Sequence, residues 1–79
     1  MNLEERVVQL VARTTGKDAS RIGRTTAMVA DLGMDSAAAL VLLVELEDTF
    51  DLSLSDRIAA RMRTVGDIID HLQELTETK

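Results

Sequence analysis

Few side chains in this 79-residue sequence could do chemistry, and the pair whose position invites it is Asp35-Ser36. A serine hydroxyl becomes a nucleophile when a base takes its proton. The sequence holds one histidine, His71, and no cysteine, tryptophan or tyrosine. No spacing pairs His71 with a nucleophile or a carboxylate, so it reads as a half-exposed helix histidine rather than a general base. The missing cysteines remove thiol catalysis, thiolate metal centres and disulfides. Asp31 and Asp35 do not form the regular oxygen series of a calcium loop. The residues thus offer no catalytic set and no metal set, and the chain is not expected to be an enzyme. By themselves, Asp35 and Ser36 are helix starters, since both types cap helices well.

The elements that position this pair follow from capping and periodicity. Asn2, with Glu5 three residues on, opens a helix at about residues 3–15. Its apolar stripe is Leu3, Val7, Leu10 and Val11, and Gly16 stops it. Residues 17–34 read as a long loop, pinned by Ile22, Met28, Val29 and Leu32 without a clean period. Gly33 permits a tight turn before the second helix, which starts at Asp35 or Ser36. Leu42, Leu46 and Phe50 form its core stripe, with Ala39 and Leu43 beside them. Ala37, Val41 and Val44 are apolar on faces the stripe does not need, so from Ala37 to Val44 the helix is apolar all round. Such a helix is buried on every side or meets a partner. Leu52 and Leu54 point inward from the next loop, and Asp56 is expected to cap a short helix, Arg57 to about Met62. Thr64, with Asp67 three residues on, opens the last helix, whose stripe is Val65, Ile68, Ile69, Leu72 and Leu75. The tail from Thr76 is expected to fray. The fold class is all-α: one domain over residues 1–79, a small up-and-down bundle of three longer helices and one short one. A chain this short buries only roughly 60–65% of its unfolded surface, so the core is modest.

Charge is concentrated. The net charge is −5, the wrong sign for a nucleic-acid binder. Residues 25–56 hold seven acids (Asp31, Asp35, Glu45, Glu47, Asp48, Asp51 and Asp56) and no base. Such a run is either a solvated face or a docking surface for basic partners. Residues 1–6 lack a basic or apolar leader. The longest apolar run, residues 37–44, is far short of the ~20 residues a membrane span needs. No span and a cytoplasmic location are expected.

Asp31-Leu32-Gly33-Met34-Asp35-Ser36 opens an apolar helix that ends Glu45-Leu46-Glu47-Asp48-Thr49-Phe50-Asp51. With the chain length, the helix order, the long first loop and the Thr64-Val65-Gly66-Asp67 start of the last helix, this resembles the acyl carrier proteins. The resemblance implies a four-helix bundle with 4′-phosphopantetheine on Ser36. A phosphopantetheinyl transferase would move the group from coenzyme A, and its thiol would hold an acyl group as a thioester. It implies that Ser36, at the first helical position, presents its hydroxyl outside the core, with the phosphodiester by free N–H groups at the positive dipole end. Asp35 would be cap, transferase contact or both, and Gly33 would remove bulk where another protein approaches. Partner enzymes with basic patches, including a loading ligase for acyl or aminoacyl groups and acyl-transferring enzymes, would read the second helix. By position, that surface is Met34, Asp35, Ala37, Val41, Val44, Glu45, Glu47 and Asp48. The acyl chain could enter the bundle, lined by Ala39, Leu42, Leu46, Ile58, Ala59, Met62 and Ile68, which otherwise are plain packing; Met28 and Met62 read as gap fillers.

The sequence also departs from the common fatty-acid-synthesis carriers. Ala37 stands where they have leucine, Ala38 to Val41 replace their acids and hydroxyls, Ser55 stands where proline is frequent, and Arg57, Arg61 and Arg63 make the third helix basic. The departures point to a dedicated polyketide, specialised lipid or aminoacyl pathway; a monomer is expected, with dimerisation through the apolar second helix left open. The competing reading is an acidic helical interaction module without a prosthetic group.

Overall fold

The structure is a computed structural model and describes residues 2–77. Four helices follow in order: α1 (Leu3–Thr15), α2 (Ser36–Phe50), α3 (Asp56–Arg61) and α4 (Val65–Glu77). Each starts where a side chain can take up a free N–H of the first turn. Asn2 accepts from the Glu5 N–H at 2.8 Å, and Asp35 accepts from the Ala38 N–H at 2.8 Å. At α4 the cap is reciprocal. The Thr64 hydroxyl accepts from the Asp67 N–H, while the Asp67 carboxylate accepts from the Thr64 and Arg63 N–H groups at 3.1 and 3.0 Å. Ser55 caps α3 instead of Asp56: its hydroxyl accepts from the Ile58 N–H at 3.2 Å, so the helix begins one residue earlier than the sequence indicates. Gly16 ends α1 in the left-handed conformation with φ 74°. The expected fraying from Thr76 is not seen as far as Glu77, which ends α4, and residues 78 and 79 lie outside the described residues.

The core is built by one stripe from each long helix. Val7, Leu10 and Val11 of α1 meet Leu42 and Leu46 of α2 and Val65, Ile68, Ile69 and Leu72 of α4. Helix α1 packs against both α2 and α4. No charged or polar side chain is buried among the described residues. Phe50 is half-buried at the edge, with the Arg6 guanidinium 4.6 Å from its ring centre.

The loop of residues 17–34 is more ordered than its sequence indicates. It contains a 3₁₀ turn, Ala19–Arg21, then a wound turn over residues 27–34 closed by the Asp31 carboxylate on the Ala27 N–H at 2.7 Å. It is tied to the start of α4 through backbone bonds. The Met28 N–H donates to Arg63 (2.9 Å), the Val65 N–H to Thr26 (3.0 Å) and the Gly66 N–H to Arg24 (2.9 Å). Ile22 and Met28 are buried and Leu32 is half-buried, as anchors should be. Val29 is not an anchor. It is 72% exposed, because the turn that sends Met28 into the core sends the next side chain out.

Candidate functional site

Ser36 is the first residue of α2 and exposed, so its hydroxyl stands clear of the core at the helix tip. The Asp35 carboxylate holds the Ala38 N–H, which leaves the Ser36 and Ala37 N–H groups as the open donors of the first turn. These, with the helix dipole, favour a negative group on the Ser36 oxygen. Gly33 precedes the site with φ 64°, a left-handed conformation that glycine adopts without strain. No atom lies within 4 Å of where its Cβ would stand, so the backbone angle, not crowding within this chain, calls for glycine there.

A cavity of about 590 Å³ opens beside Ser36, between α2, α3 and the start of α4. Ser36 and Asp35 form part of its rim, and its walls are mainly apolar. Six of the seven residues expected to line an acyl site do so: Ala39, Leu42, Leu46, Ala59, Met62 and Ile68. Ile58 does not. It turns toward a separate cavity of about 240 Å³ shared with Arg61, Asp67 and His71. The sequence missed Met28, Val29, Met34, Leu43, Ala60 and Arg63 as lining residues. Leu43 and Ala60 neighbour predicted positions on their helices. Met28 and Arg63 meet through the loop-to-α4 backbone bond, for which no sequence signal exists.

The expected partner surface divides in the structure. Ala37 is exposed, and Val41 and Val44 are 53% and 48% exposed; Leu40, not anticipated there, is 59% exposed beside them. Met34 does not belong to this surface. It is 5% exposed, because the turn that sets up Ser36 drives its side chain into the core while its N–H donates to the Met28 carbonyl. The acids have different surroundings. Asp48 is exposed, Glu45 pairs with Arg13 of α1 at 3.4 Å, and the Glu47 carboxylate accepts from the Leu54 N–H at 2.9 Å, which fixes the loop after α2. His71 is half-buried in α4 and lines the smaller cavity; its Nε2 has no hydrogen-bond partner among the described residues. No group of three metal-ligating side chains occurs among the described residues. No helix there is long and apolar enough to cross a membrane.

Known proteins share this arrangement. The family model for the phosphopantetheine attachment site matches residues 5–72. The acyl carrier protein of Chlamydia felis is 34% identical over 73 residues, covering 92% of this chain and 94% of its own. That of an Exiguobacterium species is 36% identical over 67 residues, covering 85% of each. Among solved structures, a chain from Mycobacterium tuberculosis assigned as an acyl carrier protein superposes with a TM-score of 0.87 at 34% identity, covering 94% of this chain and 99% of that one. The acyl carrier protein from Enterococcus faecalis gives 0.78 at 25% identity, with 91% of each covered. With these matches the chain belongs to the acyl carrier proteins, carriers of covalently bound 4′-phosphopantetheine and not catalysts.

Proposed function

We propose that Ser36 is the attachment residue and that residues 1–79 act as one carrier unit, a cytoplasmic monomer serving a dedicated pathway. The observation that carries the reading is the position of Ser36: exposed, first in α2, and on the rim of an apolar cavity. A transferase would form a bond from the Ser36 oxygen to the pantetheine-bearing phosphorus of the coenzyme A pyrophosphate. The hydroxyl proton would leave and the pyrophosphate link would break, releasing adenosine bisphosphate. The arm, once attached, supplies the thiol that holds an acyl or aminoacyl group as a thioester. This chain's own part is to present the serine, favour the phosphate by the open N–H groups of the first turn, and offer apolar walls to the cargo.

Partner recognition is assigned to the outer face of α2, where Ala37, Leu40, Val41 and Val44 form an apolar strip with Asp48 exposed beyond it. Such a strip suits brief contacts with enzymes whose patches are apolar at the centre and basic at the edge. The concentration of negative charge in residues 25–56 opposes pairing of two copies through the same helix. Ala37, the apolar first half of α2 and the basic residues Arg57, Arg61 and Arg63 support partners other than those of bulk fatty-acid synthesis.

The test is intact mass after incubation with coenzyme A and a broad-specificity transferase. A gain of one phosphopantetheine that Ser36→Ala abolishes is expected. No gain with any transferase would favour the acidic interaction module instead.

A further inference from the structure

We propose that Arg63 is a positioning residue for the phosphodiester of the arm, holding it across the cavity mouth, an inference that rests on attachment at Ser36. Arg63 and Ser36 line the same cavity, and Arg63 is the one basic residue among the described residues that do so. Its place is fixed by the backbone. The Arg63 carbonyl accepts from the Met28 N–H at 2.9 Å, and the Met28 carbonyl accepts from the Met34 N–H at 3.1 Å, two residues before the serine. Two successive hydrogen bonds thus set Arg63 laterally beside the turn that delivers Ser36.

The guanidinium is available. No ion pair of Arg63 occurs among the described side chains, whereas Arg13 and Arg24 both have such partners. Asp67 senses the Arg63 charge from beyond ion-pair distance, and its Oδ2 is taken by the Thr64 and Arg63 N–H groups. A phosphodiester on Ser36 would add negative charge where residues 25–56 hold seven acids and no base. A guanidinium is the side chain best shaped to take two phosphate oxygens at once. Arg61 differs: it lines the smaller cavity with His71.

Phosphorus NMR of the loaded protein tests this, comparing wild type with Arg63→Gln, Arg63→Lys and Arg61→Gln. The diester resonance of the wild type is expected away from that of the same serine–phosphopantetheine diester in a short peptide and to move toward it as salt is raised. Arg63→Gln should place it near the peptide position at low salt, Arg63→Lys should recover part of the displacement, and Arg61→Gln should leave it alone. Thermal unfolding of each variant shows that the fold is kept. An Arg63→Gln spectrum identical to wild type would overturn the proposal, as would an equal effect from Arg61→Gln. Absence of any diester signal, with no gain in mass, would sink the attachment reading itself and this inference with it.

Discussion

Gly66 is a residue whose replacement is decided by one distance. A Cβ added there would stand 2.8 Å from the Arg24 carbonyl oxygen, the atom that accepts the Gly66 N–H. Backbone cannot swing aside as a side-chain tip does, so Gly66→Ala should destabilise by about 1–3 kcal/mol, seen as a lower urea midpoint. Nearby, the Thr64 and Arg63 N–H groups hold the Asp67 carboxyl below the usual carboxylate range, with the Arg63 charge adding a smaller part. A carboxyl depressed by folding stabilises fully above its unfolded value, about pH 4, and that contribution fades as the pH falls through the native value. Asp67→Asn should therefore lose stability at neutral pH and show a flatter acid limb in pH-dependent unfolding. Thr64→Ala, which removes the other half of the cap, should cost ~1 kcal/mol. The Thr64–Asp67 pair was legible because a capping box is a three-residue spacing. Met34 was not: adjacency to Ser36 made it look like surface, and only the turn over residues 27–34 shows that its side chain points inward.

At the scale of elements, α2 is the helix that faces two ways. Leu42 and Leu46 are buried and Leu43 lines the cavity, while Leu40, Val41 and Val44 remain outside. The sequence showed a helix apolar all round; it could not say which apolar residues the short α3 and α1 would leave uncovered. Packing settles that, and it adds Leu40 to the face. Val41→Glu places a charge in the middle of the strip without touching the core. It should lower kcat/KM with partner enzymes about tenfold, a loss of ~1.4 kcal/mol, while the circular dichroism spectrum and mass gain at Ser36 stay as in wild type. Unchanged kinetics with every partner would refute an apolar contact there. The acids were less legible than the apolar residues. Glu47 is spent on the Leu54 N–H and Glu45 on Arg13, contacts 7 and 32 residues away that no local pattern announces.

For the whole molecule, the small core sets the tolerance to change. A domain of this length holds in total about 4–12 kcal/mol of stability. Leu46 is 1% exposed at the meeting of the helices and also walls the cavity. Leu46→Ala should cost ~2–5 kcal/mol, enough to unfold a large share of the chain near physiological temperature, as calorimetry would show. The bundle itself was readable from caps and stripes. The order of residues 17–34 was not, since its restraints are main-chain bonds to α4 across more than thirty residues of sequence.

Those same bonds decide where the molecule can give way. The loop and the head of α4 are stitched together at Arg24, Thr26 and Met28, and α1 is wedged against α2 and α4. Helix α3 has six residues, a single side-chain cap and, among the described residues, no comparable stitching, yet Ala59 and Ala60 form one side of the cavity. Mechanically the cavity has three stiff sides and one compliant side. Amide exchange should accordingly be fast at Ala59 and Met62 and slow at Met28 and Val65, and a long cargo chain held inside should slow the first pair without altering the second.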